Sequence, residues 1–237
     1  MQQRVYSWLR GQRWLYDTEH DSMLPEYRRV MSVLLRALTR MQATRYRLVR
    51  PTWLRENAVI RVNLGSGRVP LPGWVNMDIS PFSRAEVWGD IRDPWPFADD
   101  QVTAIFIRHC LEHFAEGEVF GVLAKCHKVL APGRGMRIGV PSLEFAIQQY
   151  QCADFGFVPW VIKHAKSPGR QFFSYLMDNG NHAIIFDYGY LAELLEICGF
   201  RHIQKAKGGE SELLEPSMLS PKDNPRDVAT LYVECRK

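Results

Sequence analysis

The sequence lacks the marks of disulfide-framed, zinc-knuckle, membrane-spanning and secreted proteins. Its five cysteines are odd in number, widely spaced and nowhere arranged as Cys-x-x-Cys, which argues against a disulfide framework and a zinc knuckle. No apolar stretch approaches the ~20 residues that a membrane-spanning helix needs, and charges throughout the first thirty residues leave no apolar signal core. Reduced thiols, a cytoplasmic location and no membrane span are therefore expected.

Lysine is absent from the first 57 residues, although these carry eleven arginines and only five acidic residues. From Pro25 onward, apolar residues such as Val30, Leu34 and Leu38 recur on one helical face, with arginines on the other. We predict a helical N-terminal extension over residues 1–57 that packs on the rest of the chain, on a partner protein or on a second copy.

Two explanations of the arginine excess stay open: an anionic partner or surface, and a solvated helix face, which is the simpler one. The whole chain has a net charge of +4 over 237 residues, so the part after the extension is mildly acidic. Nucleic acid is a disfavoured partner, because no RNA-binding module is recognisable and the remainder of the chain is not basic.

From residue 58 onward, strand-like and helix-like segments alternate, which predicts one α/β domain over residues 58–237. Only ten residues separate Asn63 from Trp74, too few for a full crossover helix, so the early helices should be shortened. A polar loop with three prolines joins the last two strands, as in an antiparallel hairpin at a sheet edge. The predicted strands cover residues 59–63, 74–79, 86–89, 102–107, 136–140, 202–206 and 230–235; the clearest helices cover residues 116–130 and 188–198, the latter capped by Asp187 and stopped by Gly199.

A glycine turn, Gly65-Ser66-Gly67, directly follows the first strand, and Asp78 lies at the end of the second. Such glycines let the main chain approach a ligand, and a carboxylate can accept from both hydroxyls of a ribose. Pro70 stands where a third glycine would be, and no full helix follows to hold a pyrophosphate. The pattern therefore favours a nucleoside without phosphates over a dinucleotide and disfavours an NAD-linked oxidoreductase.

A histidine-rich motif, His109-Cys110-Leu111-Glu112-His113, follows the fourth strand. The spacing His-x-x-Glu-His matches the inverted zincin pattern, in which two histidines on one helix bind zinc. Here the motif lies in a loop or first helical turn after a buried strand, so a zinc protease is disfavoured and no metal is expected.

Eight aromatic residues are interleaved with basic ones between residues 142 and 185. An aromatic insertion at the carboxyl end of a strand is typical of the substrate side of an open α/β sheet. We predict a lid over the substrate; the alternative is a small satellite core under a long loop.

Five segments together resemble the class I S-adenosylmethionine-dependent methyltransferases. They are Val-Asn-Leu-Gly-Ser-Gly (62–67), Val-Asn-Met-Asp-Ile (75–79), and the segments 90–100, 109–113 and 128–141. The motifs Gly-Trp-Val-Asn-x-Asp and His-x-Leu-Glu-His resemble small members of the family that often accompany carbohydrate or surface-polysaccharide biosynthesis. The resemblance implies a Rossmann-like, seven-stranded, mostly parallel sheet with an antiparallel C-terminal hairpin, and S-adenosylmethionine as the cofactor.

The resemblance also implies roles for individual residues. Gly65, Ser66 and Gly67 would line the methionine and ribose of the cofactor, and Asp78 would bind the ribose hydroxyls. The remaining implied cofactor residues are Asn63 and Ile79 beside these motifs, Asp90 and Ile91 at the adenine, and Arg108 and His109 on the sulfonium side.

Methyl transfer from a sulfonium is an in-line displacement that needs alignment, exclusion of water and, for a hydroxyl acceptor, removal of a proton. His113 and His182 are the candidates for the base, and His109 is expected to pack on the cofactor instead. We expect the acceptor to be a hydroxyl of a sugar chain or small natural product. The alternatives are a catalytically silent scaffold subunit and a methyltransferase acting on nucleic acid or protein.

Overall fold

The computed structural model describes residues 16–17, 22–23, 59–80, 83–154 and 166–237. A helical extension is predicted for residues 1–57, most of which fall outside these ranges. Within them the structure describes a short antiparallel pair, β1 (Tyr16–Asp17) and β2 (Ser22–Met23), which the sequence did not indicate. The predicted boundary near residue 58 stays a prediction.

Seven strands form the main sheet, in the order β5-β4-β3-β6-β7-β9-β8. The pairs β3–β6, β6–β7 and β4–β5 are parallel, whereas β9 runs antiparallel to both β7 and β8. This arrangement confirms the predicted Rossmann-like α/β class with an antiparallel C-terminal hairpin. The strands are β3 (Ile60–Leu64), β4 (Val75–Asp78), β5 (Val87–Trp88), β6 (Val102–Arg108), β7 (Leu130–Pro141), β8 (Arg201–Ala206) and β9 (Thr230–Arg236).

Two helices, at 116–129 and 188–197, match the two that the sequence predicted, and two more, at 143–152 and 168–177, lie in the segment predicted as a lid. Residues 65–74 form turns without a helix, as the short connection required. Asp187 caps the last helix by accepting a hydrogen bond from the Tyr190 backbone (2.8 Å), and Gly199 follows that helix with φ +94°, so the predicted cap and stop are both confirmed. The helices are α1 (Glu116–Val129), α2 (Leu143–Cys152), α3 (Pro168–Met177) and α4 (Tyr188–Ile197), with 3₁₀ turns at Leu111–His113, Asp178–Gly180 and Pro216–Met218.

Strand β7 begins six residues earlier than the prediction of 136–140 and starts directly where α1 ends. The difference arises in the stretch from Ala131 to Arg134, which is bulged out of the sheet. Val102 pairs with Leu130 whereas Ala104 pairs with Gly135, and Gly133 supplies the positive φ of +72° that the bulge requires.

The chain divides into two compact units, one of which includes residues 65–96 and the other residues 59–64 and 97–237. In the second unit most residues of β6 and all residues of β7 from Gly135 onward are buried, as expected for central strands covered on both faces. Val119, Val122, Leu123 and Cys126 form the buried face of α1, as the periodicity predicted.

A buried ion network joins β7 and β9 to the loop between β8 and β9. Arg137 is fully buried and donates from Nε and Nη2 to Asp223 (2.6 and 2.9 Å) and from Nη1 to Glu234 (2.9 Å). Its guanidinium carbon lies 4.4 Å from the centre of the Tyr232 ring. Burial by itself lowers the pKa of Arg137, but the two carboxylates outweigh it and the pKa is raised. The arginine is therefore a permanent cation inside the unit.

Helices α2 and α3, from the segment predicted as a lid, pack around a small apolar cluster of their own. Ala146, Tyr175 and Leu176 are buried together with Ala229, and the Tyr175 hydroxyl donates to the Ala229 carbonyl (2.8 Å). Residues 155–165 of this segment lie outside the described ranges. The lid and its alternative, a satellite core, both stay predictions.

All five cysteines are free thiols, as expected from their number and spacing; Cys110, Cys126 and Cys235 are buried. Within the part of the chain that the structure describes, no helix combines the length and apolarity needed to cross a membrane.

Candidate functional site

The glycine turn and Asp78 are held together by direct hydrogen bonds. Gly65 and Gly67 have φ values of +65° and +57°, which favour glycine at both positions. The Gly67 backbone donates to Asp78 Oδ2 and the Ser80 backbone to Oδ1, both at 2.7 Å. The glycine turn and Asp78, which the sequence related only through their positions at the ends of two strands, are therefore in contact.

The same cluster keeps hydrogen-bonding capacity for a ligand. Asp78 is only 8% exposed, yet each carboxylate oxygen can accept more than the single backbone bond it has here. Among the described residues, the buried hydroxyl of Ser66 has no hydrogen-bond partner. The orphaned hydroxyl in the glycine turn and the spare acceptor capacity of Asp78 both suit the polar groups of a nucleoside, so these residues fit the cofactor that the resemblance implies.

The predicted adenine residues lie in the same unit and are already engaged within it. Asp90 is buried and binds Arg92 through the Arg92 backbone (2.9 Å) and an ion pair of 2.6 Å. The side chain of Ile91 is buried, and its carbonyl accepts from the Trp95 indole (2.9 Å). Ile79 is half-buried, with its carbonyl bound to the Trp88 indole (2.5 Å). Contact of Asp90, Ile91 and Ile79 with a cofactor stays a prediction.

Asn63 and Arg108 belong to the other unit. Asn63 is buried near the end of β3. Arg108, at the end of β6, donates from Nη2 to Asp227 (2.6 Å) and from Nε to the Tyr232 hydroxyl (3.0 Å). The structure thus gives Arg108 partners that the sequence did not suggest, 119 and 124 residues along the chain. No local pattern marks Asp227, because it lies in an irregular polar loop.

Asp227 is the centre of this cluster, accepting hydrogen bonds from Arg108, Tyr232 (2.7 Å) and Thr230 (2.8 Å). Burial by itself raises the pKa of Asp227, but these hydrogen bonds outweigh burial and hold the pKa below its ordinary value. For Arg108, burial alone lowers the pKa, and Tyr232 with Asp227 more than reverse that effect. Both groups are therefore charged at neutral pH.

The Asp227→Asn variant is expected to lose about 2 kcal/mol of unfolding free energy, since hydrogen bonds to a charged group contribute roughly 1.5–3 kcal/mol. The folded pKa of Asp227 lies below the unfolded value of about 3.9, so its contribution is complete above that value and disappears as the pH falls through the folded pKa. Urea unfolding at neutral and acidic pH should show the two proteins converging in acid. Asp99→Asn, at a 64% exposed carboxylate, is the control and should change stability by less than about 0.5 kcal/mol. A constant difference at all pH values would contradict the prediction.

His109 is held at both ring nitrogens. Nδ1 lies 3.2 Å from Glu112 Oε1, and Nε2 lies 2.9 Å from the Thr230 hydroxyl. Because Thr230 gives its only hydrogen to ionised Asp227, its oxygen accepts from His109 Nε2, and a hydrogen bond at Nδ1 then needs a second hydrogen between Nδ1 and Glu112 Oε1. The residue has φ +49°, an uncommon value for a side chain other than glycine. These contacts fix the ring of His109, and its predicted packing on the cofactor stays a prediction.

His113 and His182, the two predicted bases, are neighbours. Their ring centres are 5.3 Å apart in a T-shaped arrangement. His182 is buried, with Nδ1 2.7 Å from the Leu176 carbonyl, whereas His113 is exposed, with Nδ1 3.0 Å from the Asn181 carbonyl. A carbonyl only accepts, so each Nδ1 carries a hydrogen, and in the neutral ring the lone pair lies on Nε2.

No protein-family model matches the chain, and no curated protein matches it. Among solved structures, it is similar to an S-adenosylmethionine-dependent methyltransferase from Archaeoglobus fulgidus, with 15% identity and a TM-score of 0.47 over 84% of this chain and 94% of that one. An S-adenosylmethionine-dependent methyltransferase from Thermotoga maritima gives 15% identity and a TM-score of 0.45, covering 90% of this chain and 95% of that one. Human N-acetylserotonin methyltransferase in complex with S-adenosylmethionine gives 18% identity and a TM-score of 0.47, covering 75% and 47% of the two chains. Identities and TM-scores this low do not bear on function, so the function has to be inferred from the residues of this chain.

Proposed function

We propose that this protein is an S-adenosylmethionine-dependent methyltransferase that acts on a hydroxyl of a sugar chain or small natural product. The observation that carries the proposal is the contact between the glycine turn and Asp78, with the orphaned Ser66 hydroxyl beside it. When bound, S-adenosylmethionine supplies a methyl group activated on a sulfonium. Gly65, Ser66 and Gly67 would hold the cofactor through the turn, and the Asp78 carboxylate would accept from the ribose hydroxyls.

For the proton of the acceptor hydroxyl, we propose His113 or His182 as the base. Their tautomers support this role, because the free lone pair on each Nε2 is what a general base needs near neutral pH. His182 is held more firmly, since it is buried and its Nδ1 bond is the shorter of the two.

A hydroxyl acceptor bearing a ring is supported by aromatic side chains in the segment predicted as a lid. Tyr150 and Phe173 are 48% and 64% exposed, and exposed rings of this kind can stack on sugar or aromatic faces. We further propose that the enzyme is cytoplasmic, in keeping with its free thiols.

Calorimetric titration of the purified protein with S-adenosylmethionine and S-adenosylhomocysteine tests the proposal. We expect one site with a dissociation constant of about 1–100 μM for each, corresponding to roughly −8 to −5.5 kcal/mol. Acceptor screening with sugars and phenols would then follow. Absence of binding by either compound to well-folded protein would contradict the proposal and favour a scaffold subunit.

A further inference from the structure

Three side chains from two distant segments come together in the second unit. Glu112 and His113 lie on the 3₁₀ turn after β6, and His182 follows the 3₁₀ turn after α3. One ring nitrogen of each histidine and a carboxylate oxygen of Glu112 all lie within 4.8 Å of one another. The Glu112 carbonyl also accepts from the Ala183 backbone (2.7 Å), which fixes the two segments against each other.

Both histidines have one ring nitrogen occupied by a backbone carbonyl and the other without a hydrogen-bond partner in the described part of the chain. Their Nδ1 atoms donate to the carbonyls of Leu176 and Asn181, which leaves the Nε2 lone pairs available. Metal-binding histidines almost always donate their second ring N–H to a carbonyl or carboxylate in this way, because the bond orients the ring and raises the basicity of the ligand nitrogen.

Glu112 supplies the independent sign that a cation belongs here. The residue is 1% exposed, and Oε1 faces His109 Nδ1. Among the residues that the structure describes, the buried Oε2 of Glu112 has no hydrogen-bond partner. Leaving such an atom unsatisfied is costly, and a cation next to Oε2 would satisfy it.

We propose that Glu112, His113 and His182 bind a divalent transition-metal ion. Two imidazoles and one carboxylate are a donor set suited to zinc or iron, not to magnesium, which prefers oxygen ligands. Ligands about 2.1 Å from a zinc ion lie roughly 3.4 Å from each other, so small side-chain rotations close the cluster around the ion. Three protein ligands leave one position for water or another oxygen ligand.

The proposed metal site does not depend on the proposed methyl transfer, because it is inferred only from these three side chains and their hydrogen-bond partners. It does alter the chemistry available at the same atoms. An Nε2 lone pair that binds a metal ion cannot also accept a proton, so a histidine that holds the metal would not serve as the base of the proposed methyl transfer.

Zinc titration of the chelator-treated full chain, followed by calorimetry, tests the site. The measurements use the Cys152→Ser protein, because Cys152 is an exposed thiol that could bind zinc elsewhere. We expect one zinc ion per chain with micromolar or tighter affinity, a zinc-dependent rise in melting temperature, and no comparable effect of Mg²⁺. Cobalt should bind at the same stoichiometry and give visible absorption bands of a protein-bound ion.

The Glu112→Gln, His113→Ala and His182→Ala variants should each lower zinc affinity by about 10- to 100-fold or more, whereas His202→Gln, at an exposed histidine outside the cluster, should leave it unchanged. His113 is exposed, so its variant should fold even if the variants at the buried positions do not. Zinc binding that is absent from the starting protein, or unchanged in His113→Ala and Glu112→Gln, would overturn the proposal. Since none of these measurements contains S-adenosylmethionine, failure here is distinct from failure of the proposed methyltransferase activity.

Discussion

Replacing Asp78 with alanine is expected to weaken S-adenosylmethionine binding by about 100-fold, with little change in the fold. The carboxylate would accept from two ribose hydroxyls, and hydrogen bonds to a charged group contribute roughly 1.5–3 kcal/mol each, where each 1.4 kcal/mol is about tenfold in affinity. Asp78 can accept these two further hydrogen bonds because each of its carboxylate oxygens accepts only one, from the backbone of Gly67 or of Ser80. Calorimetric titration measures the change.

The two backbone N–H groups lose their acceptor in this variant, so its melting temperature has to be measured alongside. Ser66→Ala separates a loss of cofactor affinity from a loss of stability, because the Ser66 hydroxyl has no hydrogen-bond partner among the described residues of the chain. That variant should be as stable as the starting protein and still bind the cofactor less tightly. His113→Ala and His182→Ala should both bind the cofactor normally, and the variant that lacks the base should lose methyl transfer. An Asp78→Ala protein with unchanged affinity would remove Asp78 from the ribose role.

Replacing Arg137 with methionine should destabilise the protein by roughly 3–5 kcal/mol, the range observed when one partner of a buried ion pair is removed. The substitution leaves Asp223 and Glu234 buried with no guanidinium beside them. It also removes the cation next to the Tyr232 ring, although methionine keeps much of the packing volume. Urea unfolding followed by circular dichroism measures the loss.

Two further substitutions identify the cause of this loss. Arg137→Lys should show an intermediate loss, because lysine keeps the charge but not the planar fork that reaches both acids. Arg201→Met, at an exposed arginine of β8, should change stability by less than about 0.5 kcal/mol. A loss of similar size in Arg201→Met would show that the buried ion network is not responsible.

The sequence by itself determined the features that depend on neighbours along the chain. Apolar runs marked the buried strands and the helical spacing of α1, and short connections excluded early helices. Asp187 and Gly199 marked the ends of α4, because capping involves residues within one turn. The glycine turn and Asp78 could be paired in advance, because each lies at the carboxyl end of a strand in a predicted parallel sheet.

Tertiary structure alone decided which distant polar groups meet. Arg108 binds Asp227 across 119 residues, Arg137 binds Asp223 across 86, and His182 comes to Glu112 and His113 from a separate segment. The acids Asp227 and Asp223 lie in an irregular loop and His182 follows a 3₁₀ turn, so no local pattern could predict these pairings. The physical reason is that a buried charge needs a partner in space and not in sequence, and only the folded chain brings these side chains within reach of one another.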